Sequence, residues 1–427
     1  MKVSNGTKES IFLKNSLNQS FILFKDDNKN LIFNKINRDN NLITIDKDVL
    51  DFSATIDEED RLHLLYLDNS GDLIYCIYSE DNWQKNLIGK LDVQSNIYKY
   101  LTLFVHKNTI NIFYVFANII NLNLWTIEHI TRNRDKLKKH VVANIFSEKV
   151  IDPFYIDSDE FGNIYLVYSG KEYNNYNIYY LFFNTFTKIW TTTPTQISSS
   201  NANNILPYLF VDSQNNIHIL WYSSNNTNYL LKYKRFSSVG ESKFQWKEIN
   251  LPKILGYNYP ALMFEKNNNL NIIYVSEEKI FNLTSNDYGN TWSLDDETYI
   301  RQYPINLIKY YDLSLNKNYN KINHRYGNID NGVVSFYFDD FHEKIKQEQV
   351  EAKDTSHENE TTDIISEESK IKTISDFDSH GLEKLNNTLQ DLQKQLDGIK
   401  KEIKLIKDKV KDIEEKSNDK KGFFRIW

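Results

Sequence analysis

Residues 153–169 read PFYIDSDEFGNIYLVYS, and the same pattern returns four more times within the first 342 residues. Each copy has an apolar strand, an acidic or polar turn, and a second apolar strand that contains aromatic residues. The other copies are FSATIDEEDRLHLLYLD (52–68), LTLFVHKNTINIFYVF (101–116), PYLFVDSQNNIHILWYS (207–223) and PALMFEKNNNLNIIYVS (260–276). Helical repeats are excluded because the apolar positions are largely β-branched or aromatic and are bounded by Asn, Asp and Gly.

The period of this repeat identifies the fold class. The turn residues are separated by 49, 51, 55 and 53 positions, and they are Asp57, His106, Asp157, Asp212 and Glu265. A repeat of about 50 residues with several short strands is typical of the blades of a β-propeller. A third strand is predicted in most units, at 73–78, 178–183, 230–234 and 279–284. A more polar fourth strand is predicted to end near Trp83, Trp190, Trp246 and Trp292.

The prolines and the two ends of this region fit the same scheme. We expect an inner strand to open at each of Pro153, Pro207, Pro260 and Pro304, where a missing N–H costs no ladder bond. Residues 21–37 resemble the second and third strands of a blade, and 41–45 the fourth. The innermost strand of that blade is expected from the far end, either 305–315 or 333–340. We therefore predict an all-β propeller of six blades over 1–342, or of seven if 305–341 forms its own blade.

The last repeat carries a recognisable turn motif between its third and fourth strands. Residues 285–292 read SNDYGNTW, with Ser285, Asp287, Gly289 and Trp292 in the pattern S-x-D-x-G-x-x-W. This pattern resembles the Asp-box of the sialidase-like β-propellers. Its chemistry is structural, because the aspartate accepts turn N–H groups, the glycine supplies a positive φ and the tryptophan packs on the blade. The resemblance therefore implies a propeller and no particular reaction.

The residues that sialidases of that family use for catalysis do not carry over to this chain. Those enzymes bind the sugar carboxylate with three arginines, the first in an Arg-Ile-Pro motif, and this motif is absent here. The arginines of the first 342 residues do not recur at matching places in the repeat; they are Arg38, Arg61, Arg132, Arg134, Arg235, Arg301 and Arg325. We expect no catalytic residue, cofactor or metal, and leave open a hydrolase or lyase at the propeller mouth.

Other residues have two interpretations each. His63 and His218 occupy equivalent places in second strands, and a hydrogen-bonded core role is favoured over a metal site. The turn acids either close the tight turn or line a cation-binding rim, and turn closure is favoured. The tyrosines pack between blades, and some at the ring mouth are suited to stack on sugars. Cys76 lies in an apolar strand and is expected to be buried.

Composition separates the remainder of the chain from this region. All but four of the sixty aromatic residues lie before residue 343, whereas 343–380 contains eleven acids and five bases. Too little apolar surface is available there to offset the entropy of ordering, so 343–379 is predicted to be an acidic disordered linker. The net charge of −7 over 427 residues argues against a nucleic-acid binder.

Residues 380–417 are predicted to form a parallel α-helical coiled coil. Apolar residues alternate at spacings of three and four without a polar interruption, at Leu382, Leu385, Leu389, Leu392, Leu396, Ile399, Ile403, Ile406, Val410 and Ile413. A sustained 3.5-residue period implies a left-handed supercoil with partner helices. Isoleucine at d positions, with no buried asparagine, favours a trimer or tetramer over a dimer.

Residues 418–427 form a basic-aromatic tail. Lys420, Lys421 and Arg425 accompany Phe423, Phe424, Ile426 and Trp427. Such a segment suits a membrane interface or a peptide-binding groove. Together these features predict a non-enzymatic oligomeric scaffold, whose propeller heads bind glycan or protein with avidity from a stalk. A structural coat component is the third alternative. Without a signal peptide or transmembrane segment in this sequence, the cytoplasm is the default expectation.

The coiled coil generates a direct prediction. The apolar residues at the a and d positions would be exposed to water on an isolated helix, so they need partner helices. The full chain should therefore be a trimer or tetramer at micromolar concentration. Residues 1–342 alone should be monomeric in the same light-scattering experiment. A truncated head that stays oligomeric would show that the coil is not the main assembly device.

Overall fold

The computed structural model describes residues 9–338, apart from 37–41, 80, 108, 134–135, 149–150, 226–227, 238–243, 256–258, 301–304, 316–319 and 331. All regular structure in this part is β-strand, as the repeat predicts. The described part also holds no helical segment capable of spanning a lipid bilayer. The predicted linker, coiled coil and tail lie outside the described residues and stay predictions.

The strands of the first two sheets along the chain are β1 (Ser10–Lys14), β2 (Ser20–Lys25), β3 (Leu31–Ile36), β4 (Leu42–Asp46), β5 (Val49–Ile56), β6 (Leu62–Asp68), β7 (Asp72–Ser79) and β8 (Asn82–Lys90). Those of the next two are β9 (Asn96–His106), β10 (Thr109–Asn118), β11 (Leu124–Asn133), β12 (Lys136–Phe146), β13 (Tyr155–Ser158), β14 (Ile164–Glu172), β15 (Asn175–Asn184), β16 (Ile189–Trp190) and β17 (Thr195–Gln196).

The strands that follow are β18 (Asn203–Val211), β19 (Ile217–Asn225), β20 (Asn228–Phe236), β21 (Trp246–Glu248), β22 (Leu262–Lys266), β23 (Asn269–Ser276), β24 (Lys279–Ser285) and β25 (Ser293–Tyr299). The last are β26 (Asn306–Asp312), β27 (Asn320–Lys321), β28 (His324–Asp330) and β29 (Val333–Phe336).

These strands form six sheets, each built on consecutive antiparallel strands that are connected as a meander. The first two strands of a sheet are mostly buried, because neighbouring sheets cover both of their faces; β6 is an example. The fourth strands are more exposed, and β8 and β12 are rich in lysine and polar residues. Charged outer strands protect the sheets from edge-to-edge aggregation.

The sheets follow one another around a central axis. The inner strand β5 packs against β1 on one side and β9 on the other, and the third and fourth sheets meet through β12 and β14. Further along, β18 contacts β13 and β22, and β22 contacts β28. Because β28 belongs to the same sheet as β1, the circuit closes on itself. This succession of antiparallel meander sheets around one axis is that of a β-propeller.

Closure occurs within one seven-stranded sheet, in the order β29-β28-β26-β1-β2-β3-β4. Residues 21–37 and 41–45 supply strands two to four, as predicted, but the innermost strand of that group is β1. Strand β1 was not among the predicted strands, because SIFLK is too short to show a pattern. Strand β26 lies parallel beside β1, with Phe12 opposite Tyr310. Residues 333–336 form the outer strand β29, so the alternative that placed 333–340 innermost is wrong.

Two further expectations need correction. Three of the tryptophans lie at the beginning of the fourth strands rather than at their ends, since Trp83 and Trp246 belong to the first residues of β8 and β21, and Trp292 precedes β25. The two-residue strand β16 ends at Trp190, as predicted. Pro207 lies within β18 rather than at its start, at a shift of register between Ile205 and Tyr208. A proline is accommodated there because the shift removes its residue from the regular ladder.

Aromatic stacking reinforces the closing sheet. The Phe12 ring stacks on Tyr310, with 5.2 Å between centroids, and meets Phe336 edge-on at 5.3 Å. The guanidinium of buried Arg325 lies over the Phe336 ring, 4.4 Å from its centroid. The same guanidinium donates hydrogen bonds to the carbonyls of Tyr337 and Phe338. The two termini of the domain are thus joined by one aromatic cluster.

This cluster predicts that Phe12→Ala will lower the free energy of unfolding by about 3–5 kcal/mol, because it removes a buried ring where the circuit closes. Leu17→Ala, in the β1–β2 turn and 73% exposed, should change stability by less than about 0.5 kcal/mol. Urea unfolding of both variants provides the comparison. Equal stabilities would mean that closure does not depend on these rings.

Candidate functional site

A central cavity of about 1060 Å³ is enclosed by the ring of inner strands. Its wall includes residues of β1, β5, β9, β13, β26, β27 and β28 together with the turns that follow β5, β9, β13 and β18. Ligand pockets in proteins commonly measure about 300–1,000 Å³, so this cavity is large enough for an oligosaccharide-sized molecule.

One mouth of the cavity is built from a repeated turn. The side-chain oxygen of the residue after the first strand accepts N–H groups two and four residues ahead. For Asp57 these donors are Glu59 and Arg61, each at 3.0 Å. The same pair of bonds is formed by Asn15, Asp159 and Asp212. Asp57 and Asp212 therefore close their turns, as the sequence indicates.

Asp157 was assigned to the wrong place in this repeat. The turn residue of the fourth sheet is Asp159, whereas Asp157 lies inside β13. A constant spacing of five residues between the turn residue and the second strand holds for Asn15, Asp57, Asp159 and Asp212. Alignment on the second strand would have identified Asp159. In the third sheet, His106 is the last residue of β9 and replaces the acid.

The two equivalent histidines belong to equivalent hydrogen-bond chains. His63 Nδ1 lies 2.6 Å from the Tyr75 hydroxyl, and its Nε2 lies 2.8 Å from Asp57 Oδ2. His218 makes the same contacts with Tyr233 at 2.7 Å and with Asp212 at 3.1 Å. Both imidazoles are buried, so each histidine links a turn carboxylate to a tyrosine of the third strand.

The pKa values of His63 and Asp57 reflect their burial and their hydrogen bonds. Burial lowers the pKa of His63, which favours its neutral form. Burial raises the pKa of Asp57, but hydrogen bonds from Arg61 and His63 outweigh it, and the net pKa is below the ordinary value. No group of three metal-ligating side chains occurs in the described part of the chain. The cation-rim interpretation of the turn acids gains no support from this geometry.

Carboxylates also join neighbouring sheets along the cavity wall. Asp51 Oδ2 accepts the Leu101 N–H at 2.8 Å, and Asp157 Oδ2 accepts the Val211 N–H at 2.7 Å. Glu265 accepts both the N–H and the hydroxyl of Ser213, at 2.8 and 2.7 Å. Each bond satisfies a group on or beside an inner strand whose free edge has no partner strand.

A cation closes part of the same mouth. The short strand β27 pairs with β22. Lys321 of β27 forms an ion pair with Asp157, with Nζ 2.9 Å from Oδ1. The same ammonium donates to the carbonyls of Val211 at 2.7 Å and Ser158 at 3.1 Å. Lys321 is thus fully engaged, and its role is to fasten the fourth and fifth sheets together.

The interior of the cavity contains a different group of side chains, which the sequence analysis missed. Lys309 of β26 and His324 of β28 line the cavity with Asp51 and Glu9. Burial, and then the charge of Glu9, raises the pKa of Asp51 to about 7. Burial lowers the pKa of His324 to about 3, so this imidazole is neutral at physiological pH.

Aromatic residues form much of the remaining wall. The His324 ring meets Tyr155 and Tyr208 edge-on, at centroid distances of 5.4 and 5.5 Å. The Tyr100 hydroxyl donates to the Ile151 carbonyl at 2.7 Å, which fixes its ring at the wall. Phe104 is half-buried and also lines the cavity. The cavity therefore combines aromatic faces with hydrogen-bonding groups.

The motif at 285–292 forms the turn between β24 and β25. Asp287 Oδ1 accepts the N–H groups of Asn290 and Thr291 at 3.0 and 2.9 Å, and the Ser285 hydroxyl at 2.7 Å. Gly289 has a φ of +85°, and Trp292 packs edge-on against Tyr233 of the preceding sheet. Tyr288, within this motif, is part of the cavity lining.

The other residues singled out in the sequence lie apart from one another. Arg61 binds Asp57, and Arg235 donates to Asn290 Oδ1 at 2.8 Å. Arg38, Arg134 and Arg301 lie outside the described residues. Cys76 is fully buried, and burial raises the pKa of its thiol to about 12. Arg61, Arg235 and Arg325 make their ion pairs or hydrogen bonds in three different sheets.

The geometry of the 285–292 turn predicts that alanine substitution at Gly289 lowers stability much more than alanine substitution at Gly89. A Cβ at Gly289 would overlap the Tyr233 hydroxyl, and the backbone there has a positive φ. Gly289→Ala should therefore cost about 2–4 kcal/mol of unfolding free energy. Gly89→Ala, where a Cβ meets nothing within 4 Å, should be neutral or slightly stabilising. Thermal unfolding of the two variants tests this, and equal losses would contradict it.

Known proteins resemble this chain in fold only. No protein-family model matches the chain, and no curated protein sequence matches it. Among solved structures, the Aleuria aurantia lectin in complex with Fucα1-6GlcNAc is 11% identical, with a TM-score of 0.40, and the match covers 69% of this chain and 96% of the lectin. The α-L-arabinanase of Penicillium chrysogenum complexed with arabinobiose is 9% identical, with a TM-score of 0.40, covering 68% of this chain and 85% of the enzyme. These similarities carry no argument about ligand or activity.

Proposed function

We propose that the propeller head is a carbohydrate-binding module whose ligand occupies the central cavity. The observation that carries this proposal is the lining of a cavity of about 1060 Å³, in which aromatic rings stand beside charged and neutral hydrogen-bonding groups. Sugars present apolar C–H faces and polar edges, so aromatic stacking combined with hydrogen bonding suits them.

Binding without catalysis is favoured because the carboxylates of the wall are already engaged. Asp51 accepts two backbone N–H groups, from Phe52 at 2.7 Å and Leu101 at 2.8 Å. Asp157 is paired with Lys321, and Asp212 closes its turn and binds His218. Glycoside hydrolysis needs two carboxyl groups that are free to exchange a proton and to attack or activate water. Structural carboxylates are poorly suited to that exchange.

In the full chain, the head would be one of three or four copies on the predicted parallel coiled coil. Weak sites that are tethered together gain avidity through a high effective concentration, without any new contact. The acidic linker at 343–379 would give each head the freedom to reach its ligand. The basic-aromatic tail would hold the assembly at a membrane surface or on a partner protein.

A hydrolase is the second candidate, and one observation favours it. Burial, and then the charge of Glu9, raises the pKa of Asp51 above its ordinary value. A carboxyl group that stays partly protonated at neutral pH is suited to general-acid catalysis. Asp51→Asn distinguishes the two functions, because it would abolish turnover of a glycan by an enzyme but leave the affinity of a binding module within a few-fold.

The experiment is titration of the full chain against glycans selected on an array, followed by calorimetry. Phe104→Ala should weaken binding by about tenfold, because it removes one aromatic surface of the cavity. Phe186→Ala is the matched control, since this ring lies in the β15–β16 turn and is 93% exposed. Equal losses for the two variants, or no glycan bound at millimolar concentration, would reject the cavity as a carbohydrate site.

A further inference from the structure

We propose that Lys309 is a reactive amine that forms an imine with a small aldehyde, or with the open-chain form of a reducing sugar, inside the central cavity. The inference uses the same cavity as the proposed function but does not require a glycan-binding site. Its basis is the contrast between Lys309 and the other lysines of the cavity wall.

Lys309 lacks the partners that a lysine inside a protein cavity ordinarily has. Its one hydrogen bond in the described part of the chain goes to Thr102 Oγ1 at 3.5 Å, which is the limit for such a bond. No carboxylate of the described residues lies within 4 Å of its Nζ. Lys321, on the same wall, has an ion pair and two carbonyl acceptors. Lys309 is therefore available to a ligand, whereas Lys321 is occupied.

The position of Lys309 in the fold directs its side chain to the cavity. Strand β26 lies between β1 and β28 in the closing sheet, and Lys309 pairs with Ile11 on one side and His324 on the other. The side chain is half-buried and lines the cavity. Rigid strands on both sides fix its backbone, which is the requirement for a preorganised nucleophile.

The surroundings favour the neutral amine. Titratable groups of every neighbouring element line the cavity around it, namely Glu9, Asp51, Tyr100, Tyr155, Tyr311 and His324. Burial lowers the pKa of Lys309, although the charges of Asp51 and then Glu9 act in the opposite direction. A desolvated lysine with a lowered pKa has more of the unprotonated amine at neutral pH, and this is the nucleophilic form.

An acidic mouth restricts the class of carbonyl compound. Among the described residues, ten aspartate and glutamate side chains line the cavity, against four basic ones, which are Arg61, Lys107, Lys309 and Lys321. Arg61 and Lys321 are paired with acids. An excess of negative charge repels anionic ligands. Neutral aldehydes and neutral sugars should therefore enter more readily than glyoxylate or uronic acids.

The chemistry balances without an external oxidant. The Nζ lone pair attacks the carbonyl carbon, the C–N bond forms, and a proton moves from nitrogen to oxygen to give a carbinolamine. Protonation of the carbinolamine hydroxyl by solvent and its loss as water, with release of the remaining N–H proton, give the imine. Added cyanoborohydride then delivers hydride to the imine carbon, and the product is a stable secondary amine that mass spectrometry can locate.

The test is reductive labelling of the full chain by glycolaldehyde and cyanoborohydride from pH 6 to pH 9, with peptide mass spectrometry. Lys188 in the exposed β15–β16 turn is the reference lysine. At pH 7, Lys309 should be labelled at least tenfold faster than Lys188 and Lys321, and its rate should fall less steeply with decreasing pH. Lys309 labelling at or below the rate of Lys188 would overturn the proposal.

Two variants distinguish the reactivity of Lys309 from glycan binding in the same cavity. Asp51→Asn removes a negative charge that favours the protonated form of Lys309. The curve of Lys309 labelling rate against pH should therefore move to lower pH. An unchanged curve would show that Asp51 does not influence the protonation of Lys309. Phe104→Ala should weaken glycan binding while labelling by glycolaldehyde continues. Reaction at Lys309 without glycan binding would thus refute only the proposed carbohydrate site. The comparison with glyoxylate, which should react more slowly than glycolaldehyde, tests the acidic mouth.

Discussion

The inner edges of the sheets impose the constraint on which the rest of the structure depends. The first strand of each sheet faces the axis with one edge, and the backbone groups on a free edge need partners. Carboxylates from a neighbouring sheet supply several of these partners, as at Leu101 and Val211. Strand β27 covers part of β22, and β26 covers the whole of β1. The acids of the wall are thus a consequence of the ring architecture.

That constraint also explains why some polar side chains of the candidate site are bonded to neighbouring sheets while another can contact a ligand. Asp157, Glu265 and Lys321 hold adjacent sheets together, so they contribute to stability and shape the mouth. Lys309 comes from the strand that closes the ring, and in the described part of the chain no carboxylate within 4 Å engages it. A ligand in the cavity would meet the aromatic wall and this amine, while the paired charges remain part of the framework.

Much of the fold could be predicted from the sequence because its determinants are local. The spacing of Asp57 and Asp212, the β-branched and aromatic strands, and the Gly289 turn each reflect the geometry of a single sheet. The equivalence of His63 and His218 was visible for the same reason, and the structure gives both the same tyrosine and aspartate partners. Asp157 was misassigned because three acids lie close together in DSDE; the strand pairing places Asp157 and Ser158 in β13, so that Asp159 begins the turn.

The sequence by itself determined the β-sheet class, the period of the repeat and the presence of a regular apolar stripe near the carboxyl end, because each is a pattern between residues close along the chain. Only the tertiary structure decided how the ring closes and what lines its cavity. The pairing of Phe12 with Tyr310 and the coupling of Asp51 with Lys309 join residues more than 250 positions apart. No local pattern encodes such contacts, because they arise when the circular order of the sheets brings the two ends of the domain together.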